Sequence, residues 1–369
     1  MKIRVNNRKL KYILVVFMAM IGAFMFHVDA SENMDFVRYQ DILQSIRNTN
    51  ISFIDFWLNG TQVSRWAGTA QIYAYGENIL VYLVAKFCSN DYILEWISVL
   101  IDYSCVAYIA FDLKKNSKYS SEQVFVAILI CFAELPFIQA CSGLRTATAA
   151  CIMAVAIYDY LYKNEHTCKF IILSIVAVSF HPFVLFAVVI ALVVNLVKNR
   201  IVIVGVLISM VCIPNIVNTL ARSNFAFLTM LAQKYTIYTS ENQFRAYRTF
   251  QYGTLILCVI FILYLWIIYR SSEKVMIDCD RLRISATKKI RLFLIGYMFA
   301  IIGNISSYEL VVRMGYLLGA LAPVLTVLLY EKGKNKNEYI LSVLIRICII
   351  LLVTYMSITY IRYYYRFYL

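Results

Sequence analysis

The sequence predicts an all-α integral membrane protein that crosses the bilayer roughly eleven times, with ten to twelve spans possible. Hydrophobic residues make up 62% of the 369 residues and charged residues 15%, and the mean hydropathy is +0.70. Apolar runs long enough to cross a bilayer recur along the whole chain. Short segments of alternating hydrophobicity, which would indicate membrane strands, do not recur. We therefore expect one polytopic helical domain.

The formal net charge of +14 does not indicate a nucleic-acid-binding protein. The basic residues cluster in short segments between apolar runs, as the positive-inside rule expects of cytoplasmic loops. The ten cysteines form no CxxC pair, and most of them fall inside apolar helices, where cysteine behaves as a small hydrophobic residue. We expect neither a metal site nor a disulfide framework, and no cofactor.

The chain begins with a basic segment, residues 1–11, that is expected in the cytoplasm. Residues 12–26 form the first apolar run, and the small residues around Ala30 resemble a signal-peptide cleavage site. We favour an uncleaved first helix. With or without cleavage, residues 29–71 form a first external loop, which is too polar to span and carries aromatic residues suited to short interfacial helices.

The topology depends on one ambiguous segment, residues 72–88, because Glu77 and Asn78 interrupt its apolar residues. A surface or re-entrant helix here makes the next span, 92–111, return to the cytoplasm, so that the lysines at 114, 115 and 118 lie inside. If the segment crosses the membrane, those lysines lie outside. The charge bias favours the re-entrant interpretation.

The remaining spans then follow in alternation. They are 123–140, 145–161, two short helices within 170–197 that meet at His181-Pro182, 201–213, 252–269, 292–305, 313–329 and 339–360. A large external loop, 215–250, and a basic cytoplasmic loop, 270–291, connect them.

This topology gathers polar residues on the external side, and Arg145 is the most conspicuous. Ser142 is a suitable N-cap for the helix that carries Arg145, and the free N–H groups of a helix N-terminus attract anions. The planar guanidinium fork of Arg145 suits phosphate oxygens. The alternative is an arginine whose charge extends to the lipid headgroups.

His181 and Arg313 each allow two interpretations. His181 either caps the helix break at Pro182 or carries a proton, for example to a leaving-group oxygen. Arg313 either pairs with Glu309 four residues earlier or holds a phosphate.

The external loop 215–250 interleaves aromatic and basic residues, including Tyr235, Tyr238, Arg245 and Arg248. Such residues suit sugar faces and anionic headgroups. The same stretch could instead form an interfacial amphipathic helix.

Four short motifs, in order along the chain, resemble those of the EpsG family of bacterial exopolysaccharide proteins, relatives of the Wzy-type O-antigen polymerases. An Asp-aromatic-x-x-Tyr motif corresponds to Asp35-Phe36-Val37-Arg38-Tyr39, and a Gly-Leu-Arg start of a central helix to Gly143-Leu144-Arg145. A Phe-His pair corresponds to Phe180-His181. An arginine that begins a late helix is similar to Arg313-Met314-Gly315-Tyr316.

The resemblance implies a polymerase of O-antigen, capsule or exopolysaccharide in the bacterial inner membrane. Its substrate would be a polyprenyl-diphosphate-linked oligosaccharide on the outer face of the bilayer. Arg145 and Arg313 would hold the diphosphate, and Asp35, Glu77 or His181 would be the base. Arg38 and Tyr39 would contact substrate. A chain-length regulator and a flippase are candidate partner proteins.

Two other functions remain open from the sequence. One is a metal-dependent lipid-phosphosugar glycosyltransferase that uses Asp29, Glu32 and Asp35. The other is a non-enzymatic polysaccharide transporter or flippase. Transport would place intramembrane charges along a central path, whereas the predicted topology places them at one face.

Overall fold

The computed structural model describes residues 35–63, 74–116, 120–196, 205, 245–272, 281–305, 307–330 and 336–368. Within these ranges the protein is all-helical and forms fourteen α-helices. The predicted spans at 12–26 and 201–213 lie outside the described residues.

The first seven α-helices are α1 Asp35–Thr49, α2 Phe53–Val63, α3 Tyr75–Phe87, α4 Ile93–Asn116, α5 Ser121–Glu134, α6 Phe137–Ser142 and α7 Leu144–Ile157. The other seven are α8 Thr167–Phe180, α9 Leu185–Leu196, α10 Arg245–Ser272, α11 Arg281–Gly303, α12 Tyr308–Ala320, α13 Ala322–Leu329 and α14 Lys336–Tyr368. A π-helical turn, Tyr158–Tyr162, extends α7, and a 3-10 turn, Pro182–Val184, precedes α9.

Three of these helices are long and apolar enough to cross a bilayer, namely segments Ile93–Leu113, Leu144–Tyr162 and Tyr339–Thr359. A fourth span results if α12 and α13, which are bent by 69° relative to each other, count as one. Shorter apolar helices cover Thr167–Phe180, Pro182–Leu196 and Phe250–Leu265. The described residues therefore form an integral membrane protein with three or four candidate spans, and the predicted total of eleven is not shown.

Helices α4 and α7 run parallel through the centre of the molecule. In the second turn of α7, Thr148 donates a hydrogen bond to Asp102, which lies more than two turns into α4 (2.9 Å). Farther along both helices, Tyr108 of α4 donates to Asp159 in the π-helical turn that extends α7 (2.9 Å). Most side chains of α7 are buried, and many are alanine, which lets neighbouring helices approach closely. We call the end where α4 and α7 begin the Arg145 end, and the opposite one the Lys163 end.

Both ends of α3 lie at the Arg145 end. At its start, Glu77 faces Arg145, and near its last turn the carbonyl of Ala85 accepts from Arg47 on α1 (3.3 Å). Arg47 also pairs with Asp91, just before α4. A helix of 13 residues with this placement does not pass from one end of the bundle to the other, which supports the re-entrant interpretation of this segment.

Helices α1, α2 and α3 form a small layer with a hydrophobic core of its own at the Arg145 end. This core includes Leu43, Phe56 and Val84 from the layer, together with Leu94 of α4 and Leu144 of α7. The layer therefore rests on the first turns of the two central helices. Two short helices within the predicted first external loop are thus observed, as α1 and α2.

Each proline in the described residues falls at a break between helices. Pro136 separates α5 from α6, Pro182 follows the end of α8, and Pro323 lies in the first turn of α13. Proline has no N–H to donate and disfavours continued helix. The predicted break at His181-Pro182 is confirmed, but the predicted continuous spans 123–140 and 313–329 are each broken.

Two predicted loop boundaries also change. Helix α10 already begins at Arg245, so the last residues of the predicted loop 215–250 are helical. Helix α11 begins at Arg281, so the second half of the predicted basic loop 270–291 is helical as well.

At the Lys163 end, lysines and carboxylates join α4 and the π-helical turn that extends α7 to the start of α8. Lys169 Nζ lies 2.5 Å from an Asp159 oxygen and 2.7 Å from a Glu165 oxygen. Lys163 Nζ lies 2.6 Å from the other Glu165 oxygen and donates a hydrogen bond to the Tyr108 hydroxyl at 3.1 Å. The two lysines thus share Glu165 between them.

Stability should depend on pH through Glu165. Hydrogen bonds from Lys163 and then Lys169 hold the pKa of Glu165 below its ordinary value. A carboxyl whose pKa is lowered on folding stabilises the protein above its unfolded pKa, about 4.3, and loses that contribution as pH falls through the folded value. Glu165→Gln should therefore be less stable than wild type near neutral pH, and the difference should shrink below about pH 4.3. The midpoints of thermal unfolding of wild type and Glu165→Gln in detergent, compared from neutral pH to below about pH 4.3, measure this difference. A difference that grew on acidification would contradict the prediction.

The close approach of α12 to α5 predicts a second effect. A Cβ atom added at Gly319 would lie 2.9 Å from the backbone nitrogen of Leu135, which cannot move aside like a flexible side chain. Gly319→Ala should lower the free energy of unfolding by about 1–3 kcal/mol. Gly205→Ala is the matched control, because an added Cβ there meets nothing within 4 Å. Equal unfolding midpoints for the two variants would refute this packing.

Candidate functional site

Arg145 lies in the first turn of α7 and meets carboxylates from two helices of the outer layer. Its Nε lies 3.5 Å from Glu77 Oε1 on α3, and its Nη2 lies 3.9 Å from Asp35 Oδ2 on α1. The side chain of Glu77 is 1% exposed, whereas those of Arg145 and Asp35 are 27% and 35% exposed. A buried acid and a more accessible acid therefore flank one partly accessible guanidinium.

The prediction that Ser142 caps the helix of Arg145 is wrong. The Ser142 hydroxyl donates to the carbonyl of Ile138 inside α6 (2.9 Å), because a helical serine readily bonds back four residues. The N-cap of α7 is Gly143, and no side chain caps the helix there. Arg145 thus lies beside helix N–H groups that no capping side chain satisfies, an arrangement that favours anions.

Arg38 and Tyr39 complete this part of the site. Arg38 donates to Asp35 Oδ1 at 3.1 Å. Tyr39 is buried, and burial followed by the negative charge of Glu77 raises the pKa of its phenol, although Arg145 lowers it. Arg38 and Arg145 therefore share Asp35, and the phenol of Tyr39 lies close enough to Arg145 to feel its charge.

His181 and Arg313 form the second polar group of the Arg145 end. His181 follows the last residue of α8, and its Nδ1 accepts a hydrogen bond from the backbone N–H of Phe183 (3.2 Å). Its Nε2 lies 3.3 Å from Arg313 Nη1. Arg313 on α12 also pairs with Glu309. The capping role of His181 and the ion pair of Arg313 are thus both observed.

The two contacts of His181 cannot both be hydrogen bonds of a neutral ring, because a neutral imidazole accepts at only one nitrogen and a guanidinium can only donate. We assign the accepting role to Nδ1, which faces the backbone N–H of Phe183 at 3.2 Å, and the ring proton to Nε2. In that tautomer, Nε2–H and an N–H group of Arg313 are two donors 3.3 Å apart, and one shared acceptor such as a phosphate oxygen would satisfy both.

The two polar groups are connected through α3 and α8. A Cβ added at Gly76, the residue before Glu77, would touch Ser179 and Phe180, the residues before His181. The absence of a side chain at Gly76 therefore lets the start of α3 lie against the end of α8. Arg145, Glu77, Asp35, His181 and Arg313 are all brought to the Arg145 end.

Other predicted site residues are not brought together by the described structure. Tyr235 and Tyr238 lie outside the described residues. Arg245 and Arg248 lie in the first turns of α10, but their side chains lie outside what the structure describes. Asp29 and Glu32 also lie outside it. In the described part of the chain, no group of three or more His, Cys, Asp and Glu residues is arranged to hold a metal ion.

Besides Asp159 at the Lys163 end, three buried carboxyl groups were missed by sequence reasoning. Glu95 and Asp102 lie on α4, and Glu134 ends α5, where it accepts from Thr254 (3.0 Å) and lies against Gly315. Each is an acidic residue inside or at the end of an apolar run, which is itself a signal of function. The expectation that charges gather at one face is therefore incomplete, because Asp102 lies two turns inside α4.

Comparison with known families agrees with the motifs. The family model for the EpsG family matches residues 7–368, nearly the whole chain. No curated protein and no solved structure matches the chain. The matched region contains every part of the Arg145 end described above, and the chain belongs to the EpsG family.

Proposed function

We propose that the protein polymerises lipid-linked oligosaccharide repeat units into a surface polysaccharide. Membership of the EpsG family points to exopolysaccharide biosynthesis in a membrane. The observation that supports a polymerase is the pair of arginines, each beside a carboxylate, at the same end of the bundle as the imidazole of His181. This end would face outward, where the flipped substrate is.

The position of Arg145 supports binding of a diphosphate. Its side chain is 27% exposed, and it lies at the start of α7 beside the acids Glu77 and Asp35. A planar guanidinium that is partly accessible can donate to two phosphate oxygens at once. The start of α7 has no side-chain cap, and the N–H groups of a helix N-terminus favour anions.

In the proposed reaction, the growing chain on its polyprenyl diphosphate is the donor and a new repeat unit is the acceptor. The bond between the anomeric carbon and the diphosphate oxygen breaks, and the diphosphate leaves with the electron pair. The acceptor hydroxyl oxygen bonds to the anomeric carbon and gives its proton to a base. Cations around the leaving diphosphate stabilise the charge that develops on it.

The site residues divide naturally between these tasks. Arg145, Arg313 and the Nε2–H of His181 donate to the diphosphate. With the ring proton assigned to Nε2, His181 serves better as a donor than as the base. Asp35 is the more exposed of the two acids beside Arg145, so it is better placed to reach an acceptor hydroxyl, whereas buried Glu77 holds Arg145 in position.

Replacing Arg145 tests the diphosphate role. Arg145→Ala and Arg145→Lys should both abolish long polysaccharide chains, because lysine lacks the planar fork of donors. Protein level and membrane insertion should stay near wild type. The readout is the chain-length distribution of surface glycan in a deletion strain that carries each variant.

Two controls make this result decisive. The deletion strain itself should retain glycan of single-repeat length, because only polymerisation is lost. Arg346→Ala removes another partly buried arginine, which stacks on Tyr330 near the opposite end of the bundle (4.6 Å), and should keep long chains. Total loss of surface glycan on deletion, or wild-type lengths in Arg145→Ala, would overturn the proposal.

Two replacements of His181 separate its cap from its donor. Asparagine can place an oxygen near the Nδ1 position and keep the cap on Phe183, whereas glutamine can place an N–H near the Nε2 position beside Arg313. If the donor matters, His181→Gln should retain some long chains and His181→Asn should lose them, at matched protein levels. The reverse order, with long chains only in His181→Asn, would show that His181 acts only as a cap.

A further inference from the structure

A buried cluster of oxygen atoms lies between α4, α6 and α7, one turn below Arg145. Thr148 Oγ1 donates to Asp102 Oδ1 at 2.9 Å, and Ser98 Oγ donates to the backbone carbonyl of Ala140 at 2.7 Å. The two hydroxyl oxygens are 3.4 Å apart. Asp102, Ser98 and Thr148 are all fully buried. A carboxylate, two hydroxyls and a carbonyl thus meet away from solvent.

The hydroxyl groups of this cluster supply only two protons for hydrogen bonds, fewer than the lone pairs that its oxygen atoms offer as acceptors. The single hydroxyl proton of Thr148 lies toward Asp102, and that of Ser98 lies toward Ala140, so neither remains for the contact between the two hydroxyls. Asp102 Oδ2 is buried, and no described group donates to it. The lone pairs left over on Ser98, Thr148 and Asp102 are acceptors that a bound cation would satisfy.

The charge of Asp102 leads to the same conclusion. None of the ion pairs in the described ranges includes Asp102, and an ionised carboxyl among apolar helices is strongly destabilising unless it is neutralised nearby. Glu95 lies seven residues earlier on α4, about 10 Å along the helix axis, too far to share one ion with Asp102. One monovalent cation would neutralise Asp102, whereas a divalent ion would leave a net positive charge.

The break between α6 and α7 provides the carbonyl. Ala140 is among the last four residues of α6, whose carbonyls have no N–H partner within that helix. In membrane transporters, interrupted helices that expose such carbonyls are where Na⁺ is coordinated. The sequence break at Gly143 therefore supplies the kind of ligand that a hard monovalent cation needs.

We propose that Asp102, Ser98, Thr148 and the Ala140 carbonyl bind a monovalent metal cation, with Na⁺ as the first to test. The ion joins α4 and α6 to the first turns of α7, and so supports the helix turn that carries Arg145. The proposal does not depend on polysaccharide polymerisation, because the ion binds to the protein without any lipid-linked substrate.

The test measures thermal unfolding of the purified full-length chain in detergent at one pH, in equal concentrations of sodium, potassium or choline chloride. Wild type should unfold several degrees higher in sodium chloride than in choline chloride, because an ion that binds only the folded state stabilises it. Asp102→Asn and Thr148→Val should remove this difference, and Thr148→Ser, which keeps the hydroxyl, should retain it. Binding of radioactive sodium at one ion per chain should follow the same order.

Thr326→Val is the matched control. Thr326 is also a fully buried threonine, but its hydroxyl donates to Ala322 within its own turn (2.8 Å), so the variant should keep the sodium response. Equal midpoints in all three salts, with no bound sodium, would overturn the proposal and leave Asp102 as a protonated acid. A sodium response that persists in Thr148→Val, or that is lost in Thr326→Val, would overturn it too. If Asp102→Asn does not fold, the Thr148→Val and Thr148→Ser pair still decides.

Discussion

A charge among apolar helices has to be neutralised within a few ångströms, and this requirement organises both ends of the molecule. At the Lys163 end, Lys163 and Lys169 share the oxygens of Asp159 and Glu165. These contacts attach the π-helical turn that extends α7 to the start of α8. Lys163 also lies 3.9 Å from Asp112 on α4, so the same cluster holds all three helices.

The Arg145 end satisfies the same requirement with acids from several helices. Arg145 lies 3.5 Å from Glu77 on α3 and 3.9 Å from Asp35 on α1. Arg313 pairs with Glu309 on α12 and also contacts the ring of His181 at the end of α8. These charges are therefore compensated only when the helices that carry them pack together.

Much of this arrangement could be predicted from the sequence. Hydropathy gives the all-helical membrane class, and the proline after His181 gives the helix break. The polar residues Glu77 and Asn78 favour a surface or re-entrant helix at α3. Arg145 and His181 stand out as polar residues at the ends of apolar helices, and the family motifs fall on the same residues.

Other features depend on contacts that no local pattern contains. Ser142 has the right type and position for a cap, yet its hydroxyl bonds within α6 because the chain turns again at Gly143. The pairing of Asp102 with Thr148 joins residues 46 positions apart and follows only from the parallel packing of α4 and α7. The breaks near Pro136 and Pro323, by contrast, have the same local signal as the break at Pro182, and the prediction of single spans there followed hydropathy alone.

The separate core of α1, α2 and α3 has a consequence for the acids of the site. Asp35 and Glu77 belong to this layer, whereas Arg145 belongs to the bundle on which the layer rests. The ion pairs between them are therefore also attachments that hold the layer in place. An anion bound to the guanidinium of Arg145 would compete with Asp35 and Glu77 for the same N–H groups. Binding of an anion in the site would therefore weaken the attachment of the layer to the bundle.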